Sequence, residues 1–298
     1  MSGDQTGWVW VPAASAIARE AGAVLSEFFS KGVVIDYKGD ADLVTVADRT
    51  AEKLIREQLA AAFPEHGIYG EEGTRDRLEG EYRWYVDPLD GTTNFAHGFP
   101  HFAVSMGLEQ RPAGLAPDQD GTLAAAVIYD PMRDELYAAE RGRGALLNGK
   151  PIRVTRTPRF SEALTATGFP SHKRHESPNV HFYQEFTLRS HGVRRAGSAA
   201  LDLAYVAAGR MDGFWEFNLN PWDTAAGILL VEEAGGRVTD FSGNHFRLDS
   251  REILASNGLI HAELMSFFED LFAGRNLAPI TTPREYAACR AEQAAKNG

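Results

Sequence analysis

Cysteine is almost absent from this 298-residue chain: Cys289, near the C-terminus, stands alone. No disulfide can close within the chain, and a reducing compartment, the cytoplasm, is expected. Long apolar runs are missing as well. Nothing approaches the roughly 20 residues that span a bilayer, and Met1 to Gln5 lack the basic flank and apolar stretch of a secretory signal. Basic residues are in deficit, 30 Lys and Arg against 41 Asp and Glu, for a formal net charge of −11. That balance disfavours general binders of nucleic acid or anionic membranes, which need basic surfaces. His97, His101, His172 and His175 lack the spacing of zinc ligands. Gly142, Gly144 and Gly149 are not followed by the Gly-Lys-Ser/Thr element of a phosphate loop.

Hydrophobic content is 44%, enough for a sizeable core, and the length suits two domains or one large α/β unit. Apolar spacing predicts helices from Trp8 to Phe29 and from a Thr45/Asp48 start to Phe63, with Pro64 ending the second. Short strands are expected at Gly67 to Tyr69 and Arg83 to Val86. Alternating runs at Phe102 to Leu108, Leu123 to Tyr129, Glu135 to Ala139 and Ala145 to Leu147 predict an antiparallel sheet, with Gln110 to Gly121 as an exposed loop. Beyond Arg153 strands and helices alternate: a strand at Leu164 to Thr167, helices near Val180 to Leu188, Ser198 to Ala208 and Trp222 to Ala234, and a last one near Ala262 to Phe272. That pattern predicts an α/β half, and we place the boundary near residue 150. The expected parts are thus residues 1–150, residues 151–273 and a tail, 274–298, whose Thr282-Pro283-Arg284-Glu285 has a helix-start signature.

The most informative stretch is Trp84-Tyr85-Val86-Asp87-Pro88-Leu89-Asp90-Gly91-Thr92-Thr93-Asn94. An apolar strand runs into two carboxylates, then a glycine that lets backbone N–H groups approach an anion. Together these suit a divalent cation and a phosphate. Taken singly the acidic residues have plainer readings: Glu71-Glu72 as a solvated pair, Asp223 as a helix-start residue, Thr92 as an N-cap. Their coincidence points to metal-assisted phosphate ester hydrolysis. Two divalent ions can neutralise phosphoryl oxygens, activate water and stabilise the leaving alkoxide.

Asp87-Pro88-Leu89-Asp90-Gly91-Thr92-Thr93-Asn94 resembles the signature of the inositol monophosphatase family. So do Gly70-Glu71-Glu72 and Pro221-Trp222-Asp223-Thr224-Ala225-Ala226-Gly227, with Asp42 to Asp48 and Arg195 to Ala200 matching further family elements. The resemblance covers roughly residues 8 to 272. It implies an α+β/α/β fold, a layered α-β-α-β-α sandwich, and a magnesium-dependent, commonly lithium-sensitive phosphatase working as a homodimer with two to three Mg2+ per site. It also implies roles. Glu71, Asp87 and the Leu89 carbonyl would hold one metal, and Asp87, Asp90 and Asp223 another. Thr92, hydrogen-bonded to Asp48, would orient the attacking water, with Glu71 facing a third, weaker metal. Asp90, Gly91, Thr92, Gly197, Ser198, Ala199, Glu216 and Asp223 would contact the substrate, and Lys38 falls near the family's active-site loop. The expected substrate is a small phosphorylated polyol, foremost myo-inositol 1-phosphate. Fructose bisphosphatase or another sugar or nucleotide phosphatase is the nearest alternative. A regulatory module contacting transcription machinery, without direct nucleic-acid binding, is the alternative of a different class.

Overall fold

A computed structural model of the chain describes residues 7–31, 35–37, 43–112, 114–115, 119–169, 177–279 and 281–297. Two amphipathic helices, α1 (Val11–Lys31) and α2 (Val46–Ala62), lie together on one face of an eight-stranded sheet. They frame a two-stranded antiparallel pair, β1 (Ile35–Tyr37) and β2 (Leu43–Thr45). The eight strands are β3 (Gly67–Gly70), β4 (Arg75–Asp76), β5 (Tyr82–Asp90), β6 (Ala103–Gln110), β7 (Thr122–Asp130), β8 (Glu135–Glu140), β9 (Ala145–Leu147) and β10 (Lys150–Ile152), in the order β10-β9-β8-β7-β6-β5-β3-β4. All neighbours are antiparallel except β3 and β5. A five-residue helix, α3 (Thr92–Ala96), follows β5.

A second sheet has the order β12-β11-β13-β15-β14, from β11 (Leu164–Thr167), β12 (Gly192–Arg194), β13 (Gly213–Phe217), β14 (Arg237–Thr239) and β15 (Glu252–Ser256). Between the sheets lie α5 (Ala199–Ala207) and α6 (Pro221–Glu233). Eight consecutive residues of α6, Thr224 to Val231, are buried, as a helix apolar on every side must be when both faces meet a sheet. Outside the second sheet an aromatic cluster packs α4 (Asn179–Arg189) and α7 (His261–Phe272) through Phe182, Phe186, Phe267 and Phe268. The result is the layered α-β-α-β-α sandwich expected; three apolar clusters fill its four seams, the largest covering both faces of the α5–α6 layer. The tail helix α8 (Pro283–Asn297) starts at the expected capping box: Thr282 N donates to Glu285 Oε2 at 2.7 Å, and Glu285 N to Thr282 Oγ1 at 3.2 Å.

Two expectations need correction. Strand β5 does not stop at Val86 but runs through Pro88 to Asp90. The segment from Gln110 to Gly121 is not simply exposed: Arg111 is buried, because Glu109 beneath it accepts from Arg111 Nη1 at 3.1 Å, from Tyr85 Oη at 2.9 Å and from Gly121 N. The polar turn expected from Lys38 to Asp42 lies outside the described residues, as do His172 and His175.

Candidate active site

A regular strand would send side chains three residues apart to opposite faces. On β5 the register prevents this. Asp87 pairs with Ser105 and Asp90 with Ala103, so three steps on β5 match two on β6. This bulge, at the residue that lacks an N–H (Pro88), turns Asp87 and Asp90 into one cleft. Because β3 runs parallel to β5 with Gly70 beside Val86, the next residue, Glu71, falls beside Asp87; its N–H donates to Val86 O at 3.1 Å. Asp223 arrives from the first turn of α6. The cleft, about 250 Å³, is lined by these four carboxylates, Leu89, Gly91, Thr92, Gly197, Ser198, Ala199 and Glu216.

Crowding decides the electrostatics. Burial, reinforced by the charge of Asp223, pushes Glu71 up to about 8, while a hydrogen bond with Asp87 works the other way. Burial and the neighbouring Glu71 hold Asp87 well above the usual carboxylate range. Burial raises Asp223 to about 7 and Asp90 to about 6, the latter opposed by its hydrogen bonds to Ser198 and the α5 backbone. Across the cleft, burial and Asp223 raise Glu216 to about 8. Like charges this close need cations or protons between them.

The set is hard oxygen throughout, four carboxylates and the Leu89 carbonyl, which fits magnesium rather than a softer metal. As the side chains stand, no three acidic, His or Cys groups among the described residues form a ready metal cage. Their oxygens are turned to protein donors instead: Asp87 Oδ1 to Leu89 N at 2.9 Å, Asp90 Oδ2 to Ser198 Oγ at 2.6 Å and Ala200 N at 2.7 Å, and Asp223 Oδ2 to Asn220 N at 2.7 Å. The buried charge crowding remains, and cations or protons between the carboxylates relieve it.

Residues 9–271 match the inositol monophosphatase family. The chain belongs to that family. An inositol-1-monophosphatase of Rhizobium meliloti is 45% identical over 82% of this chain and 87% of the relative. A protein named Nus factor SuhB of Pseudomonas aeruginosa is 46% identical over 80% and 88%. Among solved structures, the inositol monophosphatase of Anabaena superposes with a TM-score of 0.77 at 40% identity, covering 88% of this chain and 95% of that one. This family member is therefore a phosphoric monoester hydrolase.

Every residue that the family resemblance placed at the site, except Asp48, lines the cleft. Asp48 is buried on α2 and close enough to Asp87 to raise it. One expected contact differs. Thr92 Oγ1 donates to Leu89 O at 2.9 Å, and a hydroxyl with one proton cannot also donate to Asp48.

Sequence reading missed Asp202 and Gly168 and gave Arg195, in a stretch matching a family element, no role; all three are in the cleft wall. A Cβ on Gly168 would overlap both Glu216 carboxylate oxygens, so only glycine leaves room for that side chain. It also missed the clamp made by Asn94, whose Nδ2 donates to His101 O at 2.8 Å and Ala196 O at 2.9 Å, tying α3 to the loop before α5. Arg75 was missed too: its guanidinium lies 3.8 Å from the Tyr69 ring and 5.4 Å from Trp222, bracing the Glu71 segment against the Asp223 segment. Such contacts join residues far apart in the chain and have no local signature.

Proposed function

We propose that this phosphatase hydrolyses the phosphate monoester of a small polyol, myo-inositol 1-phosphate, with two to three Mg2+ ions held by Glu71, Asp87, Leu89 O, Asp90 and Asp223. The observation that carries this reading is the meeting of four carboxylates from three segments with Glu216 on the facing wall. When bound, the ions supply positive charge against the phosphoryl group and acidify water. The chain's own residues do the rest. Backbone N–H groups at Gly91 and Thr92 meet phosphate oxygens, where Gly91 at φ 97 turns the strand into α3. Thr92, whose Oγ1 proton goes to Leu89 O, keeps its lone pairs to accept from and orient the attacking water, and Glu71 takes the water's proton. Glu216, Gly197, Ser198 and Ala199 face the ring, where a carboxylate suits adjoining hydroxyls.

A second phosphate, as in fructose bisphosphate, would meet Glu216 and Asp202, with Arg195 the one cation among the described lining residues. This supports a monophosphate. The test is phosphate release from inositol 1-phosphate, fructose 1,6-bisphosphate, phosphoadenosine phosphate, histidinol phosphate and NADP, with magnesium and then with lithium. Preference for the inositol ester and inhibition by lithium are expected; preference for a bisphosphate would overturn the substrate.

We place the enzyme in the cytoplasm as a homodimer, which sedimentation can check. No helix among the described residues is long and apolar enough to cross a membrane. The likeness to a protein named Nus factor SuhB gives the regulatory reading its one support. Capture of transcription proteins equally by wild type and Asp90→Asn would show that role to be separate from turnover.

A further inference from the structure

One carboxylate of the cleft is given no contact with the substrate in the reading above. Asp202, in the first turn of α5, is 1% exposed and lines the cleft wall near Glu216 and Asp90. Among the described residues no protein donor reaches it, and its Oδ1 is fully buried without a hydrogen-bond partner. A buried acceptor without a donor carries the full desolvation penalty of its group. Neighbouring Glu216 and Asp90 add repulsion, and Arg195 is the opposing charge. The helix needs no acid here: Ser198 already caps it, accepting from Leu201 N at 3.2 Å. Replacing a buried charged group by an apolar one of similar volume is often neutral or stabilising. Unsatisfied groups held against such costs concentrate where a ligand supplies the missing partner.

Resting on the polyol reading, we propose that Asp202 is a specificity-determining residue whose carboxylate accepts a hydrogen bond from a ring hydroxyl of the substrate, beside the hydroxyl taken by Glu216. Two buried acids on one wall then read adjoining hydroxyls, while the phosphate sits at Gly91 and Thr92. Gly168 contributes by leaving Glu216 the room to stand there, and buried Asn179 holds Gly168 in place, its Nδ2 donating to Gly168 O at 2.6 Å.

The test compares wild type, Asp202→Leu and Asp202→Asn, loaded with magnesium, on inositol 1-phosphate and on an aryl phosphate without ring hydroxyls. Asp202→Leu should lower kcat/KM for the inositol ester at least about tenfold more than for the aryl ester, mostly through KM. Asp202→Asn, which keeps one acceptor oxygen, should recover part of that difference. The melting temperature of substrate-free Asp202→Leu should rise, since an unpartnered buried acid is gone. Equal losses on both esters, or a lowered melting temperature with an unchanged ratio, would overturn the proposal in favour of a structural role. Wild type that hydrolyses the aryl ester but not the inositol ester would overturn the polyol reading itself, and this inference with it. Wild-type preference retained in Asp202→Leu would sink this inference alone.

Discussion

Asp90 serves two purposes at once. Its Oδ2 accepts from Ser198 Oγ and Ala200 N, so it holds the start of α5 from the other sheet, and its charge belongs to the acidic cluster. These duties separate by substitution. Asp90→Asn keeps an acceptor oxygen and removes the charge, so phosphate release should vanish while the melting temperature holds. Asp90→Ala removes both, and leaving Ser198 Oγ and Ala200 N without their acceptor should cost a further ~1–3 kcal/mol of stability. Wild-type turnover by Asp90→Asn in magnesium would refute the metal assignment. Gly168 makes a second test at this scale. In Gly168→Ala the new methyl overlaps the Glu216 carboxylate, so steady-state kinetics should show KM for a polyol phosphate rising more than for an aryl phosphate. Overpacking of this kind costs about 1–3 kcal/mol.

Among elements, the proposed function makes the seam between α3 and α5 decisive, because it rests the phosphate end of the substrate on one and the ring end on the other. Asn94 spans that seam. Asn94→Ala strips donors from His101 O and Ala196 O, and an unsatisfied carbonyl costs about 1–3 kcal/mol. Calorimetry should therefore show a lower melting temperature, and turnover should fall even at saturating substrate. Unchanged kcat would mean the seam is held elsewhere. This scale also separates what was legible in the sequence from what was not. Helices and strands were legible because local pattern encodes them: β9 and β11 occur at the residues expected, Ala145–Leu147 and Leu164–Thr167. The acids of the cleft were legible because Asp87 and Asp90 end an apolar run just before a glycine, and because Asp223 falls in a stretch that resembles the same family's signature. The bulge at Pro88 was not, since register belongs to a pair of strands, and neither was Asp202, which reads in isolation as an ordinary polar position in a helix.

For the whole molecule, the acidic cluster makes stability a function of pH and, on the proposed metal reading, of magnesium as well. Glu71 and Glu216 at about 8, Asp223 at about 7 and Asp90 at about 6 all lie above their unfolded values near 4. In the metal-free protein the folded state then binds more protons than the unfolded chain between about pH 4 and pH 8. The slope of unfolding free energy with pH follows protons bound unfolded minus folded, which is negative here. The cluster's contribution is thus full near pH 4 and lost as pH climbs through about 6 to 8, opposite to the behaviour of an ordinary ion-paired carboxylate. Magnesium binds the ionised form and competes with those protons, so its stabilising effect should grow over the same interval. Melting curves in chelator and in excess magnesium, run from pH 5 to pH 8, should diverge steadily, the chelated protein melting lower as pH rises. The divergence should shrink in Asp223→Asn, which removes one of the repelling acids. Parallel curves across that range would mean that these carboxylates neither repel one another in the folded protein nor share a cation.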